Sequence, residues 1–146
     1  MTKGVTVKRV YEKPSRTDGI RVLVDRLWPR GLTKEDAALD AWLKDLAPSD
    51  ELRHWYHAYP DAWPVFRRRY LKELQGSEAS AQLQELYRMA EQRKRLTLLY
   101  ASKNEERNNA IVLRDLLTGM KKPPTGTGPA AAASSGRLRK AARRPA

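Results

Sequence analysis

A nearly unbroken apolar run at residues 96–101 constrains the fold more than any other feature of the sequence. Such runs are typical of a central strand that is covered on both faces of a sheet. Residues 20–27 and 5–11 are also predicted to be strands, the second because apolar and polar residues alternate there. Apolar residues at helical spacing predict helices between and after these strands. The pattern predicts an α/β fold, a small single-domain sandwich with a mostly parallel central sheet flanked by helices.

Capping residues and turn signals set the expected helix boundaries. Thr33 begins a helix whose apolar positions continue through residues 39–46, although residues 39–43 also alternate as a short strand would. Ser49 is expected to cap the next helix, because its hydroxyl can accept from a free N–H of the first turn. The remaining helices are expected at residues 63–74, 83–90 and about 105–118.

Positive charge is concentrated at the end of the sequence. The chain carries a formal net charge of +12, and residues 121–146 hold seven lysines and arginines but no acid. That segment is rich in Pro, Gly, Ala and Ser, and it cannot bury enough apolar surface to fold alone. We therefore expect one domain at residues 1–120 and a disordered basic tail at residues 121–146. The tail is either a solvated extension or a nonspecific nucleic-acid partner that contacts phosphates.

Hydropathy and cysteine content limit the compartment. No apolar run approaches the roughly 20 residues of a membrane span, so no membrane partner is expected. The N-terminus lacks a secretory hydrophobic region. The absence of cysteine excludes disulfides, thiol nucleophiles and thiolate metal sites. The natural interpretation is a cytoplasmic protein, and the sequence predicts no oligomeric state.

Two polar loops are expected where predicted strands end. Residues 25–31 contain two arginines, whose guanidinium groups suit phosphate or carboxylate. They also contain a proline that holds the turn, and Gly31, expected where a side chain would clash. Residues 102–109 follow the run at 96–101. If the two strands are parallel neighbours, both loops lie at the edge where α/β sheets bind ligands.

Together these loops would form a cationic pocket with amide and hydroxyl donors and one aromatic wall. Such a pocket suits a small anionic ligand, for example a nucleotide or another phosphorylated or carboxylated metabolite. The candidate ligand-binding residues are Arg26, Trp28, Arg30, Ser102, Lys103, Asn104 and Asn108.

Structural roles compete with this assignment. Asn104 and the two glutamates after it also form an ordinary helix cap with acids that complement the dipole. Trp28 can simply pack, and Asp25 can pair with an arginine to hold its loop. A third possibility is a regulatory module whose loops bind another protein.

Two residues are candidates for acid–base chemistry, Asp25 and His57. His57 lies three residues after His54, so both could face one metal ion, but there is no HExxH pattern and no clear third ligand. We therefore expect no metal and no cofactor, and surface or packing roles are favoured for the histidines. The sequence does not decide between an enzyme and a binding protein.

Three consecutive arginines, residues 67–69, stand opposite the apolar face of a predicted helix. A solvated face is the expected role, and a phosphate-binding stripe is the alternative. Trp42, Trp55 and Trp63 fall at apolar helical positions. They are expected in the core rather than in a base-stacking platform.

The sequence also resembles a known family. Residues 21–31 (Arg-Val-Leu-Val-Asp-Arg-Leu-Trp-Pro-Arg-Gly) resemble the signature of the bacterial YeaO-like family, domain of unknown function 488. Trp42, Phe66 and residues 96–108 match its pattern too, so the resemblance covers about residues 5–118. It implies an α/β fold and marks the two loops as shared features, but it implies no established activity or substrate.

One departure from the family pattern bears on mechanism. Relatives commonly have Asn-His where this chain has Asn108 and Asn109, and many have a histidine near positions 57–58. If a histidine at position 109 were an essential proton carrier, this chain would lack it. The resemblance then leaves a binding role, or chemistry by Lys103 or Asp25.

Overall fold

The structure, a computed structural model, describes residues 4–92, 95–120 and 124. The predicted basic tail at residues 121–146 therefore lies, apart from Pro124, outside the described residues.

The described residues form two compact units. The first contains residues 4–47 together with the described part of residues 89–119, and the second contains residues 48–88 with residues 120 and 124. The predicted loops at residues 25–31 and 102–109 both belong to the first unit.

Within the described residues, the first unit contains a four-stranded sheet in which every pair of neighbours is parallel. The strand order is β1-β4-β2-β3. The strands are β1 (Val5–Arg9), β2 (Ile20–Leu23), β3 (Ala41–Trp42) and β4 (Leu96–Tyr100). The predicted α/β fold with a mostly parallel sheet is confirmed.

Strand β4 is the central element, with all five residues buried. Its residue Leu99 is in register with Lys8 of β1 on one side and with Leu23 of β2 on the other. Full burial of a leucine side chain is worth about 1.5–3 kcal/mol, which explains why the run at residues 96–101 dominates the sequence pattern. All four strands end on the same side of the sheet, here called the carboxyl edge.

The described residues contain five α-helices. They are α1 (Lys34–Ala37), α2 (Asp50–Ala58), α3 (Trp63–Glu73), α4 (Ser77–Gln92) and α5 (Asn109–Gly119). In the first unit, α5 contacts β1 and β4. In the second, the predicted Ser49 cap is confirmed, since its hydroxyl accepts from the Leu52 N–H at 3.1 Å. No helix among the described residues combines the length and the apolar character that crossing a membrane requires.

The helix predicted through residues 39–46 is wrong. Helix α1 ends at Ala37, and Ala38 follows in the left-handed region with φ 49°. The chain then forms β3, in which Ala41 is in register with Val22 of β2. Pairing with the sheet prevails over the helical spacing of the apolar residues, and the alternative of a short strand is confirmed.

A buried ion network lies where β2 begins. The Arg21 guanidinium donates to Asp18 Oδ2 at 2.6 Å and to the Ala37 carbonyl at 2.7 Å, while Lys8 Nζ lies 3.1 Å from Asp18 Oδ1. Burial alone would raise the pKa of Asp18. Hydrogen bonds from the Ser15 N–H, Lys8 and Arg21 outweigh it, so the pKa lies below its ordinary value.

Candidate functional site

The two polar loops lie side by side at the carboxyl edge. Strands β2 and β4 are hydrogen-bonded parallel neighbours, and the Val24 N–H donates to the Leu99 carbonyl at 3.1 Å just past the end of β2. The segments after these strands are called the β2 loop (residues 25–31) and the β4 loop (residues 102–109). Their proximity, a condition of the predicted pocket, is confirmed.

Asp25 fastens the β2 loop to the residue before the β4 loop and to the last residue of that loop. Its Oδ2 accepts from the Ala101 N–H at 2.8 Å, and its Oδ1 accepts from Asn109 Nδ2 at 3.1 Å. The Asn109 amide also donates to the Val24 carbonyl at 3.0 Å. The Asp25 carbonyl accepts from the Trp42 indole at 2.7 Å. The loop-holding role is therefore present, with a backbone N–H and an amide as partners.

Trp28 packs against the sheet at the carboxyl edge. Its indole N–H donates to the Leu32 carbonyl at 2.7 Å, and its ring meets the Trp42 ring edge-to-face at 5.5 Å. Both tryptophans pack against a buried apolar cluster at the carboxyl edge. The cluster consists of Val10, Leu23 and Leu99. This packing is the structural role that competes with ligand stacking for Trp28.

The β2 loop ends in a tight turn. The Leu32 N–H donates to the Pro29 carbonyl at 3.4 Å, and Gly31, the third residue of this turn, has φ 79°. A positive φ at that position is what a type II turn requires, and glycine adopts it without strain. The expectation of a steric clash at Gly31 is wrong, because no described atom lies within 4 Å of where its Cβ would be.

Four cationic side chains belong to the two loops, namely the three that we assigned to ligand binding and Arg107. Arg26 is half-buried and donates to the Ala47 carbonyl at 3.3 Å. Arg30 and Lys103 are exposed, and their charged groups make no hydrogen bond or ion pair within the described residues. These two groups are therefore available to an external anion.

An unpredicted pair from the end of β1 connects the loops. The Arg9 guanidinium donates to the carbonyls of Ser102 at 2.9 Å and Ala101 at 3.0 Å, and it lies 5.1 Å from the centroid of the Tyr11 ring. The Tyr11 hydroxyl donates to the Arg30 carbonyl at 3.0 Å. Arg9 thus contacts the β4 loop and Tyr11 contacts the β2 loop. The alternation in residues 5–11 predicts only a strand, and no sequence signal shows that this strand lies beside β4.

The polar side chains of the β4 loop fold the loop on itself. The Ser102 hydroxyl accepts from the Asn104 N–H at 3.2 Å. Asn104 Oδ1 accepts from the backbone N–H groups of residues 106 and 107 at 3.0 and 2.9 Å. The side chains that we assigned to ligand binding therefore shape the loop that presents Lys103.

Helix α5 begins at residue 109, and the prediction that it begins near residue 105 is wrong. The physical reason is that Asn108, not Asn104, is its cap: Asn108 Oδ1 accepts from the Ile111 N–H at 3.0 Å. The Asn108 amide donates back to the Asn104 carbonyl at 2.8 Å. Asn108 is buried, so its role in the described structure is to join the loop to the helix.

A buried tyrosine lies beneath the β4 loop. Tyr100 is 2% exposed, and this burial raises its pKa, with the charges of Glu105 and Glu12 acting in the same direction. A hydrogen bond with Asn108 and the charge of Arg9 oppose the shift without reversing it. The phenol is therefore neutral at physiological pH and serves as a fixed partner for Asn108.

The histidine candidate belongs to the second unit. His57 lies near the end of α2 and is exposed, as is His54. The site described above contains residues of the first unit only. Among the residues that the structure describes, no group of three or more His, Cys, Asp or Glu side chains is arranged to hold a metal ion.

Comparisons with known proteins agree with the signature in the β2 loop. Residues 4–135 match a family described as "Inactive DUF488-N3 subclade". The chain is 46% identical over 118 residues to the Escherichia coli protein "Uncharacterized protein YeaO", a match that covers 80% of this chain and 98% of that one.

Two mycobacterial proteins show similar agreement. "Uncharacterized protein Rv3073c" from Mycobacterium tuberculosis and "Uncharacterized protein Mb3100c" from Mycobacterium bovis are each 45% identical over 115 residues. Each match covers 79% of this chain and 94% of the relative. No solved structure matches the chain significantly. From the β2-loop signature, the parallel sheet and these matches we conclude that the chain belongs to the YeaO-like DUF488 family.

Proposed function

We propose that the carboxyl edge of the first unit binds a small anionic ligand, a phosphorylated or carboxylated metabolite, without transforming it. The observation that carries the proposal is that charged side chains at this edge have different roles, one structural and two without a partner. The Asp25 carboxylate accepts two hydrogen bonds that hold the loops together, whereas Arg30 and Lys103 are exposed and unpaired within the described residues.

The preorganised backbone around these cations supports the proposal. Arg9 and Tyr11 hold the carbonyls of Ser102 and Arg30, so the segments that carry the two cations are both fixed. Fixed segments reduce the ordering cost of binding. A guanidinium and an ammonium group together suit the oxygens of a phosphate or carboxylate.

A binding role is favoured over catalysis by two considerations. The first is that Asp25, the acid–base candidate in the β2 loop, is occupied in holding the loops. The second is that the subclade whose family model matches the chain is described as inactive. Arg26 is assigned a supporting role, because its guanidinium already donates to the Ala47 carbonyl.

Thermal stabilisation of the full-length chain by nucleotides, sugar phosphates and dicarboxylates tests this function. A ligand at about 100 times its dissociation constant adds roughly 2.7 kcal/mol of stability. Arg30→Gln and Lys103→Gln should each weaken binding of the best ligand by tenfold or more, since a hydrogen bond to a charged group contributes about 1.5–3 kcal/mol. Neither substitution should change the stability of the free protein, because neither charged group has a partner within the described residues.

Arg16→Gln is the matched control, because Arg16 is also an exposed arginine and lies in the short 3-10 helix that precedes β2, at the amino ends of the strands. The affinity of the Arg16→Gln variant for the ligand should equal that of the wild type. An equal loss of affinity in all three variants would indicate an effect of net charge, and the proposed site would be abandoned.

A further inference from the structure

The aromatic side chains of the second unit form two groups with different surroundings. In the inner group, the Tyr56 and Phe66 rings stack at 4.3 Å, and Phe66 is 3% exposed. The inner group consists of Tyr56, Trp63, Phe66 and Tyr70. In the outer group, Trp55 and Tyr59 contact each other with ring centroids 5.6 Å apart. The expected core role suits Trp63, whereas Trp55 stands beside an exposed ring.

Tyr59 is the exposed member of the outer pair. It is the cap residue that follows the last residue of α2, and 59% of its surface is accessible. A tyrosine ring with so much free surface beside a tryptophan offers a flat apolar face to a partner. Aromatic faces of this kind are the stacking platforms of proteins that bind single-stranded nucleic acid.

An arginine of α3 completes this platform. The Arg69 guanidinium lies 4.9 Å from the centroid of the Trp55 ring. Glu73, one turn further along α3, forms no ion pair with Arg69. Both Glu73 oxygens accept from Ser49, at 2.8 Å from the backbone N–H and 2.6 Å from the hydroxyl. Arg69 therefore keeps its charge available beside the indole.

Two more cations continue along the exposed side of α3. Arg68 and Lys72 are four residues apart, so they share a face of the helix, and Lys72 is also three residues beyond Arg69. All three are exposed, and neither Arg68 nor Lys72 has an ion-pair partner within the described residues. The stacking surface is defined here as Trp55, Tyr59, Arg68, Arg69 and Lys72.

We propose that the stacking surface binds single-stranded nucleic acid, with a base on the outer aromatic pair and phosphates on the α3 cations. Stacking on Tyr59 and a guanidinium beside Trp55 recognise the π-face of a base, and every base has one, so the site is expected to be tolerant of sequence. The three cations lie within about one turn of each other on α3 and would supply the contacts to backbone phosphates. This activity is separate from anion binding by the loops of the first unit.

Fluorescence anisotropy with a labelled oligothymidylate of about 15 nucleotides tests the proposal, since that length spans a typical single-strand site. The protein is the full chain in which the seven lysines and arginines of residues 121–146 are replaced by glutamine, so that their affinity does not obscure the surface. An oligouridylate of the same length shows whether DNA or RNA is preferred. An abasic strand of the same length reports phosphate contacts alone.

Tyr59→Ala should weaken oligothymidylate binding about tenfold and leave abasic-strand binding unchanged, because it removes a stacking face only. Arg68→Gln and Arg69→Gln should weaken binding to both strands and lower the salt dependence by about 0.7 each. Arg53→Gln is the control, because the exposed Arg53 already pairs with Asp50 at 3.2 Å.

Three results would overturn the proposal. They are the absence of binding by the tail-neutralised chain, unchanged oligothymidylate affinity in Tyr59→Ala, and an equal loss on the abasic strand in that variant. Unfolding is separated from loss of binding by the urea midpoint. We expect that midpoint to be the same in Tyr59→Ala and the wild type, since the ring is mostly exposed.

Discussion

Gly19 and Gly31, at opposite ends of the sheet, are glycines for different structural reasons. At Gly19, with φ 67°, an added Cβ would lie 2.3 Å from the Arg95 carbonyl oxygen. At Gly31, with φ 79°, an added Cβ would meet no described atom within 4 Å. The first glycine is required by a close backbone approach and by its φ, and the second by its φ alone.

We expect Gly19→Ala to destabilise the chain by about 2 kcal/mol or more, since a backbone atom must move in addition to the left-handed strain. Gly31→Ala should cost only about 1–2 kcal/mol, the strain of a left-handed residue. Urea denaturation of both variants measures the difference. If both variants lost the same free energy of unfolding, the close contact between Arg95 and the added Cβ at Gly19 would contribute nothing to the destabilisation.

Asp25 offers a second test at the residue scale. Asp25→Ala removes the acceptor of the Ala101 N–H and one of the two acceptors of the Asn109 amide, so the free energy of unfolding should fall by about 1.5–3 kcal/mol. Asp115→Asn is the control, because Asp115 forms an exposed pair with Arg114 at 3.1 Å and such pairs contribute about 0–1 kcal/mol. If the two variants had equal stability, Asp25 would not be the link between the loops.

The sequence identifies some site residues more readily than others. Arg26, Trp28 and Arg30 are visible because polar and aromatic residues directly follow an apolar strand. Arg9 and Tyr11 escape notice because their role depends on strand order, which places β1 beside β4 across more than 80 intervening residues. Loop composition is a local signal, whereas adjacency of strands is a tertiary one.

Among the elements, β3 shows the same limit. A strand of two residues, Ala41–Trp42, is too short to show a periodicity, and its extended conformation depends on pairing with β2. The strands β2 and β4 were predictable because their apolar runs are long enough to exclude a solvated loop. Short edge elements are decided by their neighbours, and their residues satisfy two patterns equally well.

The connection into β2 carries a pH-dependent contribution to stability. The pKa of Asp18 lies below its unfolded value of 3.8, so the native state favours the charged carboxylate. This contribution is fully present above about pH 4 and is lost as pH falls through the lower native pKa. We therefore expect the free energy of unfolding to decline below about pH 4.

Asp18→Asn should remove that decline and lower stability at neutral pH by about 3–5 kcal/mol, because Arg21 is left buried without its charged partner. Urea titrations between about pH 2 and 7 measure both effects. Glu106→Gln, which changes an exposed carboxylate, should retain the acid dependence of the wild type. If the free energy of unfolding of Asp18→Asn still declined at acid pH as in the wild type, the decline would be due to other carboxylates.

At the scale of the whole molecule, positive charge is divided between the described units and residues 121–146. Residues 121–146 carry seven of the 29 lysines and arginines and none of the acids. The stacking surface adds three exposed cations within the second unit. We therefore expect the proposed affinity for a nucleic acid strand to have two electrostatic sources, and linked contacts on one strand would reinforce each other.

These sources differ in salt dependence, and the difference yields a prediction for the intact chain. Replacing the seven cations of residues 121–146 by glutamine should reduce the slope of log affinity against log salt by about 5. Each phosphate contact on a single strand contributes about 0.7 to that slope. A slope of about 2 should remain from Arg68, Arg69 and Lys72. Anisotropy titrations at several salt concentrations measure both slopes. If the slope of the substituted chain equalled that of the wild type, all binding would be due to the described units. If it were zero, all binding would be due to the cations of residues 121–146.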